Sequence, residues 1–583
     1  MLTPRRRIAA FALALALAGA LCLLPKAAAA GPTIDDALRQ IETYAPQALQ
    51  EQGAPGMSVA ITDRQHTLRI LTLGYANLDA KAPVTEQTRF PIGSITKGMT
   101  ALGLMELHDQ NRFDPRAPVR DYLPWFALSP ANEVIYAHQL LSHTAGVPGD
   151  YSFSPGYLYS VAALRRSHTT YRPGTSWAYS NDGLAAAGAM LAAIDGKPWA
   201  DSLQARVFDA LGMTHSSPVF TPETLDDAAF GYVFDDSNIL TPPNPRLVPS
   251  FPGDFEDPAG SVISTPGDMA KYMRLILNGG VNDAGTRVIS QASFALWTTP
   301  DKLNGGKLAG ESAPELQEAP ELYRHYAFGL AVHDEDGDTI VGHTGGIAGY
   351  SACMENDVTR GFGVAAMSNL VEAPLHPCAI VLYAIAVLRA QSAGQPLPPL
   401  PPKLGYYLQR TTVPKASEYA GTFTAPDGTA LTFTANGDTL ALQTPRGSKT
   451  LYPRSGSFWV DDARFTVYGL TFMRNKAGTV DEVVSGAQWF ANAAYTGPKT
   501  FTYPAAWSAL LGRYETLGLW GVPTASRVYE LKGRLTLDGS PLEPKPDGSF
   551  ASGSSVVRFD TPAGSSMQRM RVDDLDMYRI ALP

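Results

Sequence analysis

Cysteine, histidine and clustered basic charge are scarce in this chain, and each scarcity removes a class of function. The 583 residues hold only three cysteines, Cys22, Cys353 and Cys378, and ten histidines. No cysteine or histidine stands at metal-ligand spacing from another, which argues against a metal enzyme and calls for no cofactor. Lysine and arginine total 46 against 55 acidic residues, a formal charge of −9. An acidic chain without basic clusters is a poor binder of nucleic acid or of an anionic membrane surface.

Long apolar runs are lacking as well, with one exception. Arg5, Arg6 and Arg7 precede the run Ile8–Leu24, and Ala28-Ala29-Ala30 precede Gly31. This is the layout of a secretory signal peptide over residues 1–30, with cleavage after Ala30 and a periplasmic or secreted product. An uncleaved anchor is the competing reading, but the run is near the lower length limit for a span. No stable membrane span is expected after cleavage. Processing removes four basic residues and no acid, taking the charge from −9 to −13. Cys353 and Cys378 then remain; an oxidising compartment would allow them to pair, and their spacing leaves the pairing open.

The length exceeds one hydrophobic core, so two to four domains are expected. Ile34, Leu38, Ile41, Tyr44 and Leu49 carry helical spacing that Gly53-Ala54-Pro55-Gly56 ends. Met57–Thr62 and Leu68–Tyr75 alternate as an antiparallel hairpin. Helical and loop segments follow, among them Tyr136–Leu141, Gly183–Ile194, Trp199–Leu211 and Asp268–Asn278. Strand signals return at Tyr326–His333, Thr339–His343, Tyr350–Glu355 and Phe362–Ser368, and Ala379–Leu388 reads as a helix laid on the sheet. Strands at both ends of a helical insert predict an α+β fold over residues 31–392. One antiparallel sheet would be flanked by helices, beside a mostly α subdomain.

Prolines at 396, 398, 399, 401 and 402 mark a stiff linker, residues 393–413. Beyond it lies an imperfect repeat. Tyr419–Phe423 is echoed by Leu511–Tyr514, Asp438–Leu442 by Gly533–Leu537, and Leu451–Phe458 by Leu542–Phe550. Two such copies predict two small antiparallel β-barrels, residues 414–503 and 504–583.

The chemistry gathers at Phe90-Pro91-Ile92-Gly93-Ser94-Ile95-Thr96-Lys97. Ser94 and Lys97 stand three apart, so on one helical turn the hydroxyl meets an amine able to take its proton. The Ser94 N–H, unpaired at a helix start, is a candidate oxyanion donor. An N-terminal serine with a solvated lysine fits the same residues, and other segments must decide. In Tyr179-Ser180-Asn181, ahead of a helix, a phenol beside Lys97 would relay a proton to a leaving group while Asn181 orients a substrate amide. In His343-Thr344-Gly345-Gly346, glycines let a substrate lie against a strand end, Gly346 N–H becomes a second oxyanion donor, and His343 offers a polar or partly charged contact. His143, in Leu140-Leu141-Ser142-His143-Thr144-Ala145-Gly146-Val147, reads as a structural residue holding the loop from Val147 to Tyr157, rather than as a second base.

Together with Pro258-Ala259-Gly260-Ser261-Val262-Ile263-Ser264-Thr265, these segments resemble the serine β-lactamase and penicillin-binding protein superfamily, on its class C side, over roughly residues 34–392. The resemblance implies Ser94 as nucleophile, Lys97 as its base and Tyr179 as partner acid/base. It implies Asn181, His343, Thr344 and Gly345 as substrate contacts, with no metal. One departure is His343, where the family's β-lactamases and transpeptidases usually place a lysine that grips a carboxylate. The H-x-G form and the two barrels are similar to the D-aminopeptidase architecture, with lipocalin-like, eight-stranded barrels and a loop reaching the active site, here Thr516–Ser526. The expectation is an exported serine hydrolase acting on small amide, ester or short-peptide substrates, those with D-residues first. A carboxylesterase, a β-lactamase and a binding module with a vestigial site are the alternatives, and the oligomeric state stays open.

Overall fold

The computed structural model describes residues 31–130, 132–148, 156–234, 247–250, 256–301, 325–371, 377–402, 412–454, 457–460, 462–465, 468–517, 523–553, 555–562, 567–572 and 575–580. The expected signal peptide lies outside them. Among the described residues no helix is long and apolar enough to cross a membrane.

Helix α1 (Ile34–Gln52) opens on a capping box, with Thr33 accepting from the Asp36 N–H and Asp36 accepting from that of Thr33. Gly53, at φ +72°, closes it in the left-handed conformation that glycine tolerates. Strands β1 (Gly56–Asp63), β2 (Thr67–Asn77) and β3 (Ala82–Pro83) follow, and the chain returns to them only after the helical insert. That insert includes α2 (Thr96–Asp109), α3 (Asn181–Asp195) and α4 (Pro266–Leu277). Strands β4 (His325–Tyr326), β5 (Ala331–Glu335), β6 (Asp338–Ile347), β7 (Tyr350–Asp357) and β8 (Phe362–Ser368) then complete one eight-stranded sheet, in the order β3-β2-β1-β8-β7-β6-β5-β4. The two ends of the segment meet where β1 pairs antiparallel with β8, Val59 opposite Ala366.

Alternation along β1 sends Met57, Val59 and Ile61 to one face and Ala60 to the other. On the first face α1 packs with α5 (Cys378–Ser392), Leu38, Ile41 and Tyr44 meeting Ile380, Ala384 and Leu388. Each such aliphatic chain, fully buried, contributes about 1.5–3 kcal/mol. A disulfide from Cys353 on β7 to Cys378 ties α5 to the sheet. The opposite face, with α2, α4 and the helical subdomain, forms the larger core.

Two expectations need correction, and the linker gains an addition. The strand read over Tyr326–His333 is two strands, because Gly329 turns at φ +68° and brings its backbone against Lys97. The proline segment, expected as a stiff linker, makes contacts that expectation did not include. Pro398 and Pro401 carbonyls accept from Gln40 Nε2 (2.5 Å) and Gln47 Nε2 (3.1 Å) of α1, which docks it on the domain. The C-terminal repeats form an eight-stranded and a nine-stranded antiparallel sheet, each a nearly closed barrel, rather than eight strands in both. In the second, Ser540–Pro541 and Glu543–Pro544 pair with opposite sides of the sheet, so one short segment bridges its two edges. The first barrel is filled by side chains, Phe423, Phe433, Phe458 and Phe472 packing edge to face.

Candidate active site

Ser94 lies in a 3₁₀ turn, Gly93–Ile95, that runs straight into α2. Residues three apart nearly eclipse in such a turn. Lys97 Nζ donates to Ser94 Oγ at 2.8 Å and to the Ala259 carbonyl at 2.7 Å. Lys97 is fully buried, whereas Ser94 is half-buried. The segment that supplies Ala259 is tied to α2 throughout. Thr100 Oγ1 donates to the Pro258 carbonyl (2.8 Å), Val262 N–H donates to Thr96 Oγ1 (3.2 Å), and Phe90 pairs with Ser264.

Strand β6 meets this turn through glycine. A Cβ on Gly345 would stand 1.9 Å from the Ile92 carbonyl oxygen, and one on Gly93 would stand 2.6 Å from Gly346 N. Gly93 itself sits at φ +51°. Side chains are excluded from this contact, which brings the backbone around Ser94 N and Gly346 N together. Gly346 is exposed, and Thr344 is half-buried.

Tyr179 reaches the same place from just ahead of α3, whose first residue is Asn181. Ser180 caps that helix, accepting from Gly183 N–H at 3.0 Å and donating to the Pro148 carbonyl at 2.8 Å. The Tyr179 ring lies with its centroid 4.8 Å from Lys97 Nζ, and both Tyr179 and Asn181 are half-buried.

His343 behaves differently from the sequence expectation. It is 1% exposed. Its Nδ1 lies 2.5 Å from the Thr344 carbonyl, which can only accept, so the proton sits on Nδ1. Nε2 then accepts from the Tyr326 hydroxyl at 2.7 Å. Burial foremost, with the nearby Lys97 charge, lowers the imidazole to about 3, despite the opposing bond to Thr344. The imidazole is therefore neutral at pH 7 and engaged within the protein, and it supplies no partly charged contact.

A sequence profile of the family described as Beta-lactamase matches residues 40–386. The chain belongs to the Beta-lactamase family. It is 29% identical over 324 residues to penicillin-binding protein 4 of Amycolatopsis lactamdurans, covering 54% of this chain and 80% of the relative. With penicillin-binding protein 4* of Bacillus subtilis (strain 168) it shares 26% over 395 residues, 64% of this chain and 80% of the relative. The octameric penicillin-binding protein homologue from Pyrococcus abyssi superposes with a TM-score of 0.54 at 21% identity, covering 78% of this chain and all of that one, which establishes the fold.

Within this Beta-lactamase member, the segments around Ser94, Tyr179 and His343 converge at one end of α2. Sequence reasoning did not single out the Ala259 carbonyl as an acceptor for Lys97, nor Tyr326 and Gly329. No local pattern marks them, since their roles arise from which segments the fold brings into contact. The loop expected to be held by His143, Val147 to Tyr157, lies largely outside the described residues, and the contacts described for His143 are elsewhere. His143 lies against Tyr179, ring centroids 4.4 Å apart.

Proposed function

We propose that this chain is an exported serine hydrolase that forms an acyl-enzyme on Ser94 with small ester or amide substrates, short peptides containing D-residues being the favoured amides. The observation that carries the reading is the 2.8 Å contact between Ser94 Oγ and a fully buried Lys97 amine. In the reactive form the amine is neutral and the contact reverses, the Ser94 O–H donating to Nζ. As Oγ bonds to the substrate carbonyl carbon, its proton passes to Lys97. The Ser94 and Gly346 N–H groups hold the oxyanion. When the C–N or C–O bond breaks, the electron pair stays on the departing atom. That atom takes the Tyr179 proton, and Lys97 restores the phenol with the proton from Ser94. Water then releases the acyl group by the same route in reverse. Asn181, Thr344 and Gly345 line the substrate path.

The neutral His343 favours substrates without a carboxylate to be gripped at that strand. This supports the esterase and amidase readings over a β-lactamase. Export is supported by the Cys353–Cys378 disulfide, which suits an oxidising compartment. The packed interior of the first barrel counts against a module whose barrels take up apolar ligands.

Ser94→Ala should remove labelling by a fluorophosphonate probe while leaving the unfolding transition in place; labelling that persists defeats the mechanism. Comparing p-nitrophenyl butyrate, D-Ala-p-nitroanilide and nitrocefin on one sample separates esterase, peptidase and β-lactamase.

A further inference from the structure

We infer that His143 is a positioning residue for Tyr179, holding the phenol beside Lys97 by packing against its ring and by bonding the backbone on both sides of it. The inference rests on the roles proposed above for Ser94, Lys97 and Tyr179.

His143 is 2% exposed and sits at φ +59°, a left-handed conformation that costs a non-glycine residue energy and persists only where its surroundings fix it. The surroundings do so on every side. Its carbonyl accepts from the Ala178 N–H (3.0 Å) and the Tyr171 hydroxyl (3.0 Å). Its Nδ1 accepts from the Ser180 N–H at 3.1 Å. The residues on both sides of Tyr179 are thus bonded to this one residue. The ring lies 4.4 Å from that of Tyr179 at 37°, 4.7 Å from that of Tyr326 at 51°, and edge-on to Trp177 at 5.8 Å. The Tyr179 ring is thus in contact with the imidazole and also lies with its centroid 4.8 Å from Lys97 Nζ.

An acceptor at Nδ1 places the imidazole proton on Nε2, and that atom is buried with no hydrogen-bond partner among the described residues. A residue that only held a loop could do so through its carbonyl. The buried ring, with one nitrogen left without a partner, is explained by what it packs against. Burial first, then the nearby Lys97 charge and the repulsion a protonated His343 would add, push this imidazole well below its usual range, so it stays in the neutral form that can accept from Ser180.

A displaced Tyr179 harms most the step that needs its proton. An anilide must have its nitrogen protonated as the C–N bond breaks, whereas p-nitrophenolate leaves without that help. His143→Asn keeps an acceptor and tolerates the left-handed backbone but removes the ring. It should lower D-Ala-p-nitroanilide turnover about 100-fold and raise the p-nitrophenyl butyrate-to-anilide ratio at least about tenfold. Tyr179→Phe should raise the same ratio, and in that background His143→Asn should change it no further, because the two act as one unit. His143→Phe, which keeps the ring and loses the Ser180 bond, gives an independent reading should the Asn variant fail to fold; its anilide loss too should vanish in the Tyr179→Phe background. Equal loss on both substrates, or losses that simply multiply in the double variant, overturn the inference. A Tyr179→Phe enzyme with an unaltered ratio, or turnover of either substrate by Ser94→Ala, instead overturns the underlying reading of the site.

Discussion

Gly345→Ala is the sharpest test of how the site is held together, because the geometry sets both its sign and its size. The added methyl would stand 1.9 Å from the Ile92 carbonyl oxygen, 2.8 Å from its carbon and 3.2 Å from Ser94 N. A carbon needs about 3.3 Å from such an oxygen, so the turn carrying Ser94 and strand β6 must part by more than about 1 Å. The obstacle is backbone, not the end of a flexible side chain, so no rotamer relieves it. Overpacking of this kind costs about 1–3 kcal/mol, and a displacement near 1 Å at a reacting group costs about 100-fold in rate. Gly346→Ala, one residue on, is its control. A Cβ there meets nothing within 4 Å and the backbone is not left-handed, so stability should stay within about 0.5 kcal/mol. Urea unfolding and the rate of fluorophosphonate labelling, measured on both variants of the full chain, read the two consequences separately. A Gly345→Ala protein labelled at the wild-type rate would refute the claim that this contact places Ser94.

Acid should weaken the domain through its buried imidazoles. With His343 lowered to about 3 in the fold, the unfolded chain binds the extra proton between pH 6.5 and 3. This contribution is complete above pH 6.5 and is lost as the pH falls, on the order of 4 kcal/mol by pH 3. His343→Gln should reduce the slope of stability against pH in that window by up to about one proton, and an unchanged slope contradicts the assignment. Glu355 acts in the opposite sense. Both its carboxyl oxygens are buried without a hydrogen-bond partner among the described residues, and burial first, then Glu335, holds it well above the ordinary range. Folding then keeps a proton that the unfolded chain has lost, so stability falls as pH rises from about 4.5. Glu355→Gln should flatten the profile above about pH 4.5, and a wild-type slope there would refute this. At the barrel junction, Lys532 pairs with Glu482 and faces the rings of Trp489 and Tyr495 at 5.4 and 5.2 Å. Lys532→Met should cost about 1–2 kcal/mol and shift the urea midpoint read by Trp489 fluorescence; coincident midpoints would show that the lysine does not join the barrels.

The parts of the site legible in the sequence are those with local geometry. Ser94 and Lys97 share a turn whichever way that turn packs, and Ser180 caps a helix whose start the sequence already marks. The sheet is legible for a similar reason, since alternation over Met57–Thr62 and Leu68–Tyr75 survives a shift of a residue or two at the strand ends. What the sequence hides depends on contact between distant segments. Splitting Tyr326–His333 at Gly329 answers a tertiary demand, the approach of that turn to the Lys97 backbone, which hydropathy does not encode. The docked linker is hidden because Gln40 and Gln47 look like solvent-facing residues of an amphipathic helix, while the proline carbonyls they bond have no partner within their own extended segment. His343 misleads because its position suggests a contact with ligand, whereas register and burial turn both its nitrogens inward.

These placements divide the labour of the site by burial. Lys97, His143 and His343 are all but inaccessible, while Ser94, Tyr179, Asn181 and Thr344 are half-buried and Gly346 is exposed. Each buried group has a backbone partner, the Ala259 carbonyl on Lys97, the Thr344 carbonyl on His343 and the Ser180 N–H on His143, beside its side-chain contacts. The backbone contacts are indifferent to the side chains of the residues that provide them. The amine–hydroxyl pair can therefore stay in place while residues on the open side vary. Both imidazoles are kept neutral by their surroundings, so neither offers a cation to the open face of the site. Under the proposed function, selection between substrates would fall to shape and to uncharged donors and acceptors on the half-buried residues, which would reject a ligand by leaving a polar group unpaired rather than by repelling its charge.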